Sequence, residues 1–172
     1  MVTSNAQPND YSRFRQINRE RMASKRRQRM SQSMKVAFGC HLLNALVLII
    51  FALVYLFRPE FMPYHADAVA REWSNVEYPY QVLILALMRA TGGAWLATAM
   101  AMLIILFIPF RQGYNWARWA IPVMGMVVSA STFCATNYVR QNTPGNPPGM
   151  IILVGIVLSV LGLVVSLQAD NN

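Results

Sequence analysis

The chain has few of the residues with which enzymes usually perform chemistry. Its 172 residues include seven acidic side chains, two histidines and two cysteines. The sequence contains no thioredoxin-like cysteine pair, zinc-ligand spacing, phosphate-binding loop, nucleophile elbow or pair of neighbouring carboxylates. It therefore predicts no catalytic residue, no metal site and no cofactor, and it favours a protein that is not an enzyme. A lipid is the one bound molecule that this composition leaves open.

Charge is scarce and unevenly distributed. Charged residues make up 13% of the chain, against about 25% in an ordinary soluble domain. Nine of the fifteen lysines and arginines lie before position 36: Arg13, Arg15, Arg19, Arg21, Lys25, Arg26, Arg27, Arg29 and Lys35. We interpret residues 1–35 as a basic arm that binds anionic lipid headgroups or an acidic surface of a partner. An arm without a folded module gives little support for nucleic-acid binding.

Four long apolar runs follow the basic arm. They cover about residues 36–57, 82–110, 116–138 and 150–167. Each is as long as the ~18–20 residues that a helix needs to cross a hydrocarbon layer of ~30 Å. Backbone groups inside a bilayer must pair within their own segment, so the runs are expected to be helices. The sequence predicts an all-α integral membrane four-helix bundle over residues 36–168, with an outer loop at 58–81 and a short tail at 169–172.

Basic residues near the ends of the runs predict the orientation of the bundle. Eleven lie on the side of the N-terminal arm and of the connection between the second and third runs, and three lie on the opposite side. Because basic residues are retained on the cytoplasmic side, this asymmetry places the N-terminus inside. Four crossings return the C-terminus to the same side, so both termini are predicted to be cytoplasmic.

Small residues recur at helical spacing in three of the runs. Membrane helices associate through close packing at such residues, since lipid chains are as apolar as leucine. The predicted packing residues are Gly93, Ala97, Gly125, Gly155, Ser159, Gly162 and Ser166. We interpret these faces as contacts inside one bundle. In the alternative interpretation one of them, above all the face of the fourth helix, docks onto another subunit.

Arg89 is the one charged side chain deep inside an apolar run. An arginine inside a membrane costs a few kcal/mol and marks a candidate functional site. It has three interpretations: contact with Glu77 or another acid of the outer loop, binding of a lipid phosphate or other anion, or pairing with an acid on a partner subunit. Counting from the helix ends places Ser129 and Ser159 at a similar depth.

His41 and Asn44 lie one turn apart in the first run. A histidine inside a membrane is able to bind a ligand or relay a proton. However, the only other histidine belongs to the outer loop, and a lone His–Asn pair more often makes a hydrogen bond between helices. With Arg89, Ser129 and Ser159, these two residues complete the set of candidate ligand- or partner-binding residues.

Two stretches of the chain carry a resemblance to known proteins. Residues 89–96 read Arg-Ala-Thr-Gly-Gly-Ala-Trp-Leu, and residues 109–120 read Pro-Phe-Arg-Gln-Gly-Tyr-Asn-Trp-Ala-Arg-Trp-Ala. This pattern resembles small bacterial four-helix membrane proteins that are broadly DoxX-like. The resemblance implies four helices, a cytoplasmic connection around residues 111–118 and the bacterial inner membrane, but no activity.

Three functions are compatible with these features. The first is a non-catalytic accessory or assembly subunit of a larger membrane complex, docking onto other membrane subunits through small-residue helix faces and the basic arm. The second is a small anion or solute transporter or channel that uses Arg89. The third is a membrane enzyme that uses His41 or Arg89. The absence of catalytic residues favours the first.

Overall fold

The computed structural model describes residues 13–18 and 30–169, and all regular secondary structure in these residues is helical. Residues 13–18 form a short helical segment with exposed side chains and belong to a unit separate from the one that begins at Gln32. The second unit contains five α-helices. They are α1 (Gln32–Phe57), α2 (Pro63–Val69), α3 (Tyr78–Ile105), α4 (Asn115–Asn142) and α5 (Gly149–Gln168).

Four of these helices, α1, α3, α4 and α5, are long and apolar enough to cross a membrane. The prediction of an all-helical chain with four such helices is confirmed, as expected of a multi-pass membrane protein. The helices extend beyond the predicted runs at several ends, because polar residues next to an apolar run continue its helical turns. Lys35, for example, lies in the first turn of α1 rather than before it.

Most of the predicted basic arm lies outside the described residues. Arg13 and Arg15 belong to the segment 13–18 and are exposed. The six basic residues between them and Lys35 are not described: Arg19, Arg21, Lys25, Arg26, Arg27 and Arg29.

The long helices alternate in direction along the chain. Helix α1 packs along both α3 and α5, and α4 packs along α5, whereas α3 and α4 touch at fewer places. We call the end of the bundle that carries residues 58–77 and 143–148 the loop end. The opposite end, where α1 begins and α5 finishes, is the tail end.

The outward faces of the long helices are apolar. Leu43, Ile50, Val127, Leu153 and Val157 are each at least two-fifths exposed. A soluble monomer seldom exposes apolar surface of this extent, whereas such a surface suits a bilayer, in which leucine and valine are in contact with lipid chains. This pattern agrees with the membrane assignment that the length of the helices supports.

Helix α3 continues into a wider turn at its tail end. Residues Leu106–Phe110 form a π-helical turn that contains Pro109. Proline has no backbone N–H to donate and its ring interferes with the preceding turn, which explains the departure from α-helical geometry at this point. Gly113 then adopts a φ of 82°, a conformation that favours glycine, and the chain reverses into α4.

Two connections cover the loop end. Helix α2 starts with Pro63 and stops where Ala70 takes a left-handed conformation, and a short 3₁₀ turn, Trp73–Asn75, leads to α3. The turn at 143–148 meets α2 at Gly145, where a Cβ atom would lie 2.7 Å from the carbonyl oxygen of Tyr64. The outer loop predicted at 58–81 thus contains a short helix, which covers this end of the bundle together with the turn at 143–148.

Candidate functional site

A buried hydrogen bond joins α1 to α5 in the middle of the bundle. Nδ2 of Asn44 donates to Oγ of Ser159 at 3.0 Å, and Oγ of Ser159 donates to the carbonyl oxygen of Gly155 at 2.9 Å. Gly125 of α4 makes room for this pair, because a Cβ there would lie 2.5 Å from Oγ of Ser159. The structure thus brings α1 into contact with α4 and α5, which follow it much later in the sequence.

His41 lies one turn from Asn44 and is completely buried. Its ring packs edge-on against Phe110, with 5.8 Å between the ring centroids. Neither ring nitrogen has a hydrogen-bond partner among the residues that the structure describes. Gly162 of α5 makes room for the ring, since a Cβ at that position would lie 2.7 Å from Nε2 of His41. His41 is therefore fixed by packing rather than by hydrogen bonds.

A cavity of about 100 Å³ lies between the four long helices in the half of the bundle nearer the loop end. Its lining comes from α1, α4 and α5, with Trp95 from α3, Tyr64 from α2 and Pro148 from the turn before α5. The lining residues are Asn44, Val47, Leu48, Phe51, Tyr55, Tyr64, Trp95, Val128, Ser129, Thr132, Thr136, Pro148, Ile151, Ile152 and Gly155. None of these side chains carries a full charge at neutral pH.

Polar side chains lie at both ends of this cavity. Asn44 and Ser129, both mostly buried, lie at the end in the middle of the bundle. At the other end the hydroxyl groups of Tyr55 and Tyr64 form a hydrogen bond, and the Tyr55 ring lies 4.8 Å from that of Trp95 between centroids. Burial raises the pKa of Tyr64 and lowers the pKa of its neighbour His65. Both groups are therefore neutral near pH 7.

The small-residue faces of α4 and α5 are directed into the bundle. Gly155, Ser159, Gly162 and Ser166 are all buried, and so are Gly125 and Ser129 on α4. These faces are covered by neighbouring helices of the same chain, so the face of α5 is not available to another subunit.

The small-residue face of α3 is directed away from the bundle. Helix α3 packs through Met88, Gly92, Ala99 and Met102. Gly93 and Ala97, which the sequence places in a packing face, lie on the opposite side together with the exposed Ala86 and Ala90. A Cβ at Gly93 would meet no atom within 4 Å. Within residues 30–169, Gly93 and Ala97 therefore do not pack against another helix.

Arg89 lies beside this outward face and is exposed. It is five residues from the middle of the continuous segment Tyr78–Phe110, which corresponds to roughly 7 Å along the helix. Among residues 30–169 no carboxylate lies within ion-pair distance of Arg89, so the contact with Glu77 is not formed. Arg89 does not line the cavity either, and it is therefore separated from Ser129, Ser159, His41 and Asn44.

Several lining residues were not indicated as site residues by the sequence. Tyr64 and Tyr55 are the clearest examples, because tyrosines near helix ends usually mark the membrane interface. One signal was available in the first run: Asn44, Leu48, Phe51 and Tyr55 recur at helical spacing and line the same cavity. Trp95 follows no such pattern.

Comparison of this chain with protein-family models, with curated proteins and with solved structures found no match. The resemblance to DoxX-like proteins consequently stays an expectation from the sequence.

Proposed function

We propose that this chain is a non-catalytic accessory or assembly subunit of a larger membrane protein complex, and that it docks through the outward face of α3. One observation carries the proposal. The face formed by Ala86, Ala90, Gly93 and Ala97 offers the close backbone approach that membrane helices use to associate, yet no helix within residues 30–169 covers it.

Arg89 indicates the chemistry of the partner. A guanidinium exposed to lipid at this depth costs a few kcal/mol, and a carboxylate on a neighbouring helix would offset that cost. No aspartate or glutamate lies inside any of the four apolar runs of this sequence. A second copy of the chain therefore cannot supply the carboxylate at the depth of Arg89. We infer that the partner is a different protein with an acidic residue in a membrane helix.

The experiment is affinity purification of the tagged protein from native membranes in a mild detergent, followed by quantitative mass spectrometry. Ala90→Leu is expected to remove the partner, because the larger side chain keeps the two helices apart. Arg89→Leu is expected to remove the same partner without lowering the amount of the chain itself, since the substitution deletes a charge from the lipid-facing surface.

Ala130→Leu is the matched control. Ala130 is an exposed alanine on α4, so the same substitution there alters the lipid-facing surface without touching α3. A protein that co-purifies equally with the wild type and with the Ala90→Leu and Arg89→Leu variants would contradict docking at α3. Loss of the partner from the control Ala130→Leu as well as from Ala90→Leu and Arg89→Leu would also contradict docking at α3.

We further propose that both termini are cytoplasmic and that the protein resides in a bacterial inner membrane. The excess of basic residues on the tail end supports the orientation, and the basic arm would there meet anionic headgroups. Asn146→Cys, in a variant that lacks Cys40 and Cys134, places a single cysteine at an exposed position of the loop end and checks this orientation. We expect an impermeant maleimide added outside intact spheroplasts to label it, and labelling only after lysis would reverse the orientation.

Anion transport through Arg89 receives no support within one chain, because the arginine and the cavity are on different sides of α3. Such a pathway would need a second chain to enclose Arg89.

A further inference from the structure

We propose that the cavity between the four long helices binds a neutral, mostly apolar small molecule whose single hydroxyl group meets Ser129 and Asn44. This inference concerns the interior of the bundle and does not depend on docking at α3.

Two polar atoms converge where the cavity ends in the middle of the bundle. A Cβ at Gly155 would lie 3.0 Å from Oγ of Ser129 and 3.5 Å from Oδ1 of Asn44. Glycine at position 155 therefore leaves space in front of both oxygens. The two side chains belong to α4 and α1, and α5 provides the floor between them.

Both oxygens have hydrogen-bonding capacity left. The hydroxyl hydrogen of Ser159 is used by the carbonyl oxygen of Gly155, so Ser159 accepts from the amide nitrogen of Asn44. This arrangement leaves Oδ1 of Asn44 as an acceptor without a donor, and Ser129 likewise makes no hydrogen bond among the residues of the described chain. Both residues border the cavity, and a ligand hydroxyl, which both donates and accepts, would satisfy this pair.

The rest of the lining determines the remaining part of the ligand. It consists mainly of aliphatic and aromatic side chains and contains no charged residue. Transfer of an ion into such surroundings is strongly unfavourable, so the ligand is neutral. The volume of about 100 Å³ is comparable with the ~150 Å³ of an engineered cavity that binds benzene. A single small ring therefore fits.

The depth of the polar pair distinguishes two sources of such a ligand. Asn44 lies at the middle of α1 and Ser129 at the middle of α4. The polar groups of phospholipids stay near the membrane surface, on the order of 15 Å away from the centre of a ~30 Å core. A hydroxyl group at the centre therefore belongs to a free lipophilic molecule rather than to a lipid headgroup.

The test uses two probes of the same shape, 4-fluorophenol and 4-fluorotoluene, which differ by a hydroxyl and a methyl group. Binding of each probe to the purified full-length protein in detergent is followed by ¹⁹F NMR. The Gly155→Leu variant, in which the leucine side chain fills the cavity, shows how much of each signal change comes from partition of the probe into detergent micelles. We expect the wild type to bind 4-fluorophenol about tenfold more tightly than 4-fluorotoluene, which is the usual effect of a buried hydrogen bond.

Ser129→Ala and Thr132→Val separate the assigned hydrogen bond from a general effect of polarity. Both substitutions remove a hydroxyl group from the lining, but Oγ1 of Thr132 already donates to the carbonyl oxygen of Val128 at 2.8 Å. We expect Ser129→Ala to abolish the preference for 4-fluorophenol and Thr132→Val to retain it. This comparison remains informative even when Gly155→Leu does not fold.

Two results would overturn the inference. Identical ¹⁹F signals with the wild type and a folded Gly155→Leu variant would mean that the cavity binds neither probe. Equal affinity of the wild type for both probes, or a preference that survives Ser129→Ala, would show that Ser129 and Asn44 do not bind the polar group.

Discussion

Replacing Gly162 with alanine is expected to destabilise the bundle by about 1–3 kcal/mol, the usual cost of overpacking a well-packed interior. The new Cβ would lie 2.7 Å from Nε2 and 2.8 Å from Nδ1 of His41. The imidazole has little room to withdraw, because it is completely buried and packs edge-on against Phe110. Helices α1 and α5 must then separate. The thermal unfolding midpoint of the purified protein, followed by helical circular dichroism, should fall by several degrees.

The cause of this destabilisation is testable with a second substitution. In the double variant His41→Ala with Gly162→Ala, the alanine at 162 should cost much less than it does in the presence of His41, because the clash is absent. Gly39→Ala is the matched control, since a Cβ at Gly39 meets no atom within 4 Å. If Gly39→Ala and Gly162→Ala lowered the unfolding midpoint equally, the close contact between α5 and His41 would be contradicted.

The number of long helices was predictable because length and hydropathy are local properties. A run of ~20 apolar residues can satisfy its backbone groups inside a bilayer only as a helix, whatever the rest of the chain does. The ends of the helices were harder to predict from the sequence. Polar residues such as Gln32 and Lys35 continue a helix into the membrane interface, where water and headgroups tolerate them.

The orientation of a helix around its own axis was not predictable in the same way. Gly92 and Gly93 follow each other in α3 and differ by about 100° in direction. Both occur among small residues at helical spacing, so the sequence favours neither face. The face of α3 that packs inward is determined by α1. The carbonyl oxygen of Ala52 leaves no room for a Cβ atom opposite to it, so Gly92 lies at this contact.

The same limitation explains why the candidate site residues divide into two groups. Counting along the helices placed Ser129 and Ser159 at the depth of Arg89, but depth gives no information about direction. In the structure the two serines face the centre with Asn44, whereas Arg89 faces outward. The cavity between α1, α4 and α5 is equally inaccessible from the sequence, because it depends on which helices are neighbours.

Gly92→Ala and Gly93→Ala should have effects of opposite sign, although they introduce the same methyl group at adjacent positions. At Gly92 the Cβ would lie 2.8 Å from the carbonyl oxygen of Ala52 and 3.0 Å from Cβ of Tyr55. A backbone carbonyl in the middle of a helix cannot move aside cheaply, so α1 and α3 must separate. The expected destabilisation is about 1–3 kcal/mol.

At Gly93 the added methyl group has open space on the outward face. Alanine favours the helix over glycine by about 0.5–1 kcal/mol, so the unfolding midpoint of the isolated chain should rise slightly. Measurement of both midpoints in the same detergent decides the result, and a fall with Gly93→Ala would mean that this face is covered within the chain.

A larger side chain, as in Gly93→Leu, should still leave the isolated chain folded while it prevents close approach of another helix. Loss of the partner from a folded Gly93→Leu variant would therefore locate the docking face on α3 independently of Ala90 and Arg89.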